Sequence, residues 1–321
     1  IRYDYNNMKT ASVTEKNDKG EATKVERKRV SDLQDRGSRL GIKGSEDLGN
    51  GLALVFKVEF GYNGMEGLSK NDKGFHNRLA MIGLAGDWGT FAVGRLDNPF
   101  KQTIVDGSVI DDFNSTWSNS SANAAFNKGF LGADSYTANG VNGTLDRVGN
   151  ALAYISPEFS GFSMNAAVIM DHNLELGDET ATGVKVKEGD FNRNKHVDVW
   201  TINAQYQHEL GFYGKAGFIQ GKLTDQEKNS RAWGAQLGYK QDQFGVTFAY
   251  ADAKLDKNKD KGWDLGGYVA FGNDYSSTVR VSYGEDKHKN PGQLDNKSMK
   301  TKRWALGFQQ DLSERTRVWV E

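Results

Sequence analysis

The 321 residues predict an all-β protein, a single-domain, sixteen-stranded antiparallel transmembrane β-barrel. Three observations carry that expectation. Apolar and polar residues alternate with period two along much of the chain, as in strands with one apolar face. The connections alternate between tight turns and long polar loops. No uninterrupted apolar run approaches the roughly 20 residues that a membrane-spanning helix needs, so a crossing of the membrane has to be made by strands, which need only one apolar face.

The alternation is clearest in Leu52-Ala53-Leu54-Val55-Phe56-Lys57-Val58-Glu59-Phe60, where the even positions are apolar and Lys57 and Glu59 share the polar face. It recurs in Trp200/Ile202/Ala204/Tyr206, Trp233/Ala235/Leu237/Tyr239, Phe244/Val246/Phe248/Tyr250, Trp263/Leu265/Gly267/Val269/Phe271, Val279/Val281/Tyr283 and Trp304/Leu306/Phe308. Aromatic residues often end these stripes, as expected where a strand meets the membrane–water interface. Fifteen strands are expected, over 1–8, 33–46, 51–63, 75–85, 90–97, 147–156, 161–171, 196–209, 212–223, 230–240, 244–253, 262–272, 275–284, 300–310 and 314–321. A single-chain bacterial barrel needs an even number. Both ends of the sequence fall inside alternating runs, so part of the first strand and all of a sixteenth are expected to lie outside it.

Short connections fall at 47–50, 86–89, 157–160, 210–211, 241–243, 273–274 and 311–313, and long ones at 9–32, 64–74, 98–146, 172–195, 222–229, 254–261 and 284–299. A soluble sandwich would bury the stripes equally well, but it has no reason to sort its loops by length. The repeated Asn-Asp-Lys-Gly at 17–20 and 71–74 is turn chemistry in two loops.

Composition excludes several classes. A net charge of -1, from 41 basic and 42 acidic residues, gives no nucleic-acid signal. With no cysteine there is neither a disulfide framework nor a thiolate metal site. Ile1 opens no signal-peptide pattern, so a targeting segment is expected to be gone already. The histidines His76, His172, His196, His208 and His288 show no paired ligand spacing and read as surface groups. Asp256, Asn258 and Asp260 open like a calcium loop, but Gly262 is displaced and Gly267 stands where an acid is required. Neither a nucleophile elbow nor a phosphate loop is present, and no cofactor or enzymatic activity is expected.

The segment Ser38-Arg39-Leu40-Gly41-Ile42-Lys43-Gly44-Ser45-Glu46-Asp47-Leu48-Gly49-Asn50-Gly51 running into Leu52–Phe60 closely resembles the Gram-negative general-diffusion porins of the neisserial and comamonad type. The resemblance continues through Asn77-Arg78-Leu79, Gly89-Thr90-Phe91-Ala92-Val93-Gly94-Arg95-Leu96, Arg147-Val148-Gly149-Asn150-Ala151-Leu152 and Ser156-Pro157-Glu158-Phe159. These blocks follow the family's order on consecutive early strands; the later strands match in pattern only. The resemblance implies a homotrimer in the outer membrane, in contact with lipid and lipopolysaccharide, each barrel passing small hydrophilic solutes and ions. It also implies a third extracellular loop, here 98–146, that folds inward to narrow the pore. The family ends on a strand with a terminal aromatic, and this sequence stops before one.

Charges at the narrowest point would carry such a pore's chemistry. Leu40 and Ile42 face lipid on this reading, so Arg39 and Lys43 face the lumen with Lys57, and parity puts Arg78 and Arg147 inward. In the resembling porins, basic residues at the positions of Arg39, Arg78 and Arg147 form one wall of the eyelet. Asp106, Asp111 and Asp112 on the constriction loop are assigned to the opposite side. The expectation is weakly selective, mildly anion-preferring diffusion. A substrate-specific channel for a sugar, peptide or acidic nutrient is the alternative, and an adhesin-like surface barrel is another. Tyr268 is the one inward aromatic found in a strand interior, a thin signal for the former.

Overall fold

The computed structural model describes residues 2–6, 13–16, 22–25, 30–35, 37–62, 75–113, 120–131, 136–137, 140–141, 146–170, 197, 199–221, 229–289 and 298–321. Its strands are β1 (Arg2–Asn6), β2 (Val13–Lys16), β3 (Ala22–Val25), β4 (Val30–Gln34), β5 (Arg39–Gly49), β6 (Leu52–Tyr62), β7 (Phe75–Gly86), β8 (Gly89–Asp97), β9 (Tyr136–Thr137) and β10 (Gly140–Val141). They continue as β11 (Arg147–Ile155), β12 (Phe162–Ile169), β13 (Val199–Gln207), β14 (Phe212–Gly221), β15 (Ser230–Lys240), β16 (Phe244–Leu255), β17 (Asn258–Phe271), β18 (Ser277–Lys289), β19 (Ser298–Ser313) and β20 (Thr316–Val320). Two helices, α1 (Pro99–Ile104) and α2 (Ser121–Leu131), lie between β8 and β11. None of the described helices is long and apolar enough to cross a membrane, which says nothing about strands.

Fourteen strands, β5 to β8 and β11 to β20, form one antiparallel sheet whose neighbours follow chain order; β1–β4, β2–β3 and β9–β10 make separate two-stranded ladders. The hairpin turns use residues that tolerate positive φ, as at Asn50 (53°) and Gly51 (76°). Contacts divide the chain into two units, Ile1–Ile42 with Glu59–Arg78, and Lys43–Val58 with Leu79–Glu321.

Several boundaries differ from the sequence expectation. Segment 254–261 is no loop: β16 runs to Leu255, Asp256 and Lys257 turn, and β17 starts at Asn258. β18 likewise runs on to Lys289, and the last turn falls at Glu314 and Arg315 rather than at 311–313. The expected loop 9–32 contains the β2–β3 ladder, while 64–74 and 172–195 lie outside the described residues.

In the second unit the period-two stripes sit as the sequence requires. Trp200, Trp233, Phe248, Leu265, Val281, Trp304 and Leu306 are exposed, Trp304 at 77%. The alternate positions face α1 and α2 and are mostly small. A Cβ at Gly234 would meet Ile104 and Phe100, one at Gly262 the backbone of Ser121, and one at Gly266 the side chain of Val109. Ala232, Ala249, Ala251 and Ala253 are buried on the same face. Against this seat Phe100, Phe126 and Phe130 form an aromatic column, with centroids 4.5 Å and 5.6 Å apart. All three are 0% exposed, and each such buried side chain is worth about 1.5–3 kcal/mol. One sheet face is thus apolar and open, the other packed against the inserted helices.

Candidate functional site

The chain leaves β8 at Asn98, whose side chain accepts from Phe100 N at 2.9 Å and caps α1, with Pro99 at the position where its missing N–H costs nothing. Asn203 on β13 donates to the Pro99 carbonyl at 2.8 Å, and Asn165 on β12 donates to Gln102 at 3.1 Å. Beyond α1 the chain is tied to β14 and β15. Lys215 donates to the carbonyls of Gln102 (3.3 Å) and Asp106 (2.5 Å). Lys240 donates to the Gly107 carbonyl at 3.3 Å and pairs with Asp112 at 2.9 Å. The Tyr213 hydroxyl donates to the same Gly107 carbonyl at 3.1 Å, and Thr247 accepts from Val109 N at 2.9 Å.

α2 is fixed at both ends. At its start Asp264 of β17 accepts from Ser121 N (2.7 Å), Ala122 N (2.9 Å) and the Ser120 hydroxyl (2.9 Å). A carboxylate from the wall thereby satisfies amides that have no partner inside the helix and meets the positive end of its dipole. Towards its end Lys128 pairs with Asp286 of β18 at 3.2 Å, and Phe130 O accepts from Ser230 at 2.7 Å. Asp286 also holds Arg303 of β19, which donates to Ser121 Oγ at 2.9 Å. Asp264, Asp286 and Lys128 are all buried, so their charges are answered by partners rather than by water.

The predicted site residues fall into separate groups. In the first unit Arg78 Nε donates to Glu59 at 2.6 Å, and Arg39 lies 4.0 Å from the same carboxylate. Strict alternation from the exposed Ile82 and Leu84 would give Arg78 their face, yet its guanidinium reaches Glu59, which alternates with the exposed Phe56 and Phe60. In the second unit Arg147 pairs with Asp97 at 3.7 Å where the inserted segment begins and ends, and it is the neighbouring Val148 that packs in the core. Lys43 is exposed and Lys57 half-buried, and no ion pair among the described residues involves either. Asp106 pairs with Lys101 and Asp112 with Lys240, while Asp111 accepts from Gly107 N at 3.3 Å. Burial pushes the Asp111 carboxyl above the ordinary range, although Lys101 pulls the other way. Burial opposes the charge on Lys101, yet Asp106 holds its ammonium above the usual value.

The sequence reading missed Tyr213, Lys215, Lys240, Asp264, Arg280 and Asp286. Parity was enough to find the cations, since Lys240 alternates with Trp233 and Leu237, and Arg280 lies between Val279 and Val281. The acids also carried a signal: Asp264 lies between Gly262 and Gly266, and Asp286 follows Gly284, on a face too small to be a lipid stripe. Tyr213 is a second inward aromatic beside Tyr268. His288 is no surface group, because it is buried and its Nδ1 lies 2.6 Å from Asp260. Among the described residues no group of three or more His, Cys, Asp or Glu side chains could hold a metal ion.

A family model described as Gram-negative porin matches residues 8–321. The major outer membrane protein P.IA of Neisseria meningitidis is 28% identical over 271 residues, 74% of this chain and 62% of the relative. A chitoporin of Vibrio furnissii is 30% identical over 177 residues, 54% of this chain and 39% of its own length. The chain thus spans about three-fifths of the neisserial relative. Among solved structures, the anion-selective porin of Comamonas acidovorans superposes with a TM-score of 0.64 at 21% identity, over 95% of this chain and 82% of that one.

Proposed function

Since this chain belongs to the Gram-negative porins, and with them to the outer membrane, we propose that its sheet closes into a sixteen-stranded barrel around a water-filled pore. The pore gives passive, weakly selective diffusion of ions and small hydrophilic solutes, and the segment 98–146 is its constriction. Arg39, Lys43, Lys57, Arg78 and Arg147 form the basic wall, and Asp106, Asp111 and Asp112 the acidic side. Opposed charges of this kind set a transverse field that favours polar solutes over apolar ones.

A mild anion preference is part of this reading. Although Glu59 answers Arg78 and Asp97 answers Arg147, the wall's Lys43 and Lys57 have no ion pair among the described residues. On the other side Asp106 is answered by Lys101 and Asp112 by Lys240. The field from the acidic side is therefore weaker than a count of aspartates suggests. The preference is modest because charges further apart than about 8 Å are largely screened at physiological salt. Reversal potentials in a salt gradient across a planar bilayer test it. The wild type is expected to pass chloride somewhat better than potassium, less so at high salt, and Arg39→Ala with Arg78→Ala to shift the ratio towards cations. A double variant that keeps the wild-type ratio at low salt removes these arginines from the selectivity wall.

A further inference from the structure

We propose that the sheet face on the short-turn side of the inserted segment holds a second site, which binds a small carboxylate bearing an aromatic ring. The proposal rests on the pore reading above and adds a ligand class to it.

The register assembles the site. Lys240 pairs with Gly245, Gly245 with Tyr268, Tyr268 with Arg280, and Arg280 with Gly307. Cross-strand partners share a face. These positions alternate with the exposed Phe244, Val269, Val279 and Leu306, so the row faces the same side as α1 and α2. Glycine at two of the five places lets other groups pack close to the wall: the Phe113 ring and Glu321 lie over Gly307, and the Tyr268 ring lies over Gly245. At Gly245 a Cβ would run into the Tyr268 ring, so its absence lets that ring lie along the sheet. The Tyr268 hydroxyl donates to the Gln241 carbonyl, which fixes the ring's orientation. Lys240 Nζ stands 5.8 Å from the ring centroid.

Arg280 completes the set. Its Nη1 donates to Gln309 at 3.0 Å, its Nε is buried without a hydrogen-bond partner among the described residues, and the side chain as a whole is half-buried. Lys240 is already engaged by Asp112 at 2.9 Å, so Arg280 is the direct partner for an incoming anion and Lys240 its electrostatic support. A guanidinium offers a planar fork that matches a carboxylate. Beside it a tyrosine ring held flat offers a stacking surface to any ring attached to that carboxylate. An inorganic anion would use only the first feature and a neutral sugar only the second; an aromatic carboxylate uses both.

The test titrates the chloride current through the full chain in a planar bilayer with benzoate and, separately, with acetate. An aromatic contact raises affinity by about two- to tenfold, so benzoate is expected to block at a concentration lower than acetate by that factor. Tyr268→Phe should keep the preference, Tyr268→Leu should erase it, and Arg280→Gln should weaken block by both anions. Equal block of the wild type by the two anions overturns the site. So does a preference that survives Tyr268→Leu, or block that ignores Arg280→Gln. A chain that conducts no ions at all sinks the pore reading instead, whereas a conducting chain without the benzoate preference sinks this site alone.

Discussion

Asp111 carries a charge that its surroundings disfavour. Burial raises its carboxyl and Asp106 and Asp112 add to the effect, while Lys101 and the Gly107 amide oppose it. As pH falls it therefore takes a proton before an ordinary surface carboxylate does, and one negative charge leaves the constriction. Anion preference is expected to rise as pH is lowered, beginning above the pH at which an ordinary aspartate titrates, and Asp111→Asn to flatten that rise. Reversal potentials across the pH series measure both curves, and superimposable curves would assign the titration elsewhere. The sequence displayed this acid as a charge in a loop, but not what surrounds it. The ties that hold its segment come from Lys215 and Lys240, which stand 109 and 128 positions from the residues they bind. Alternation tells which side such a lysine faces and leaves open what it meets there.

At the scale of elements, α2 depends on a cap supplied from another strand. Asn at position 264 would keep an acceptor but turn an amide donor towards the amides of Ser121 and Ala122. Asp264→Asn is expected to cost about 0.5–2 kcal/mol, the range of lost N-caps. Single-channel recording should show more frequent spontaneous closures, while the strands and the folded yield stay unchanged. Helix formation here was not legible in Ser121–Leu131, because Asn123, Asn127 and Gly129 offset the helix preference of its alanines and the stretch owes its place to the wall. The strands were legible where one face meets apolar surroundings, as from Trp233 to Leu237. They were not where both faces carry charge. From Lys254 to Lys261 the backbone ladder continues although the alternation stops, so a hairpin read as a loop. Period-two patterning records contact with an apolar phase; hydrogen-bonded pairing needs none.

For the whole molecule, the family resemblance leads to the expectation of a homotrimer. The small residues Gly83, Ala85 and Gly94 on β7 and β8 lie on the face opposite the exposed side chains of those strands and do not make the contact. Ile82, Leu84, Phe91 and Val93 of the same strands are exposed in the single chain, as an intersubunit or lipid face requires. Native mass measurement in several mild detergents is expected to give three copies, and a monomer in all of them would count against assembly. Fold class and the order of the strands were readable from the sequence because the membrane imposes them everywhere. The course of the inserted segment was not, because it is written in absences: Gly217, Gly234, Gly262 and Gly266 are places where a side chain would push α1, Val109 or α2 away. The wall thus acts as a mould and the segment as its casting. Enlarging a hidden glycine displaces the casting without altering any charge, and exchanging a charged residue leaves the mould intact. In a pore built this way calibre and electrical preference are adjustable by different substitutions, and a lineage can retune one while it keeps the other.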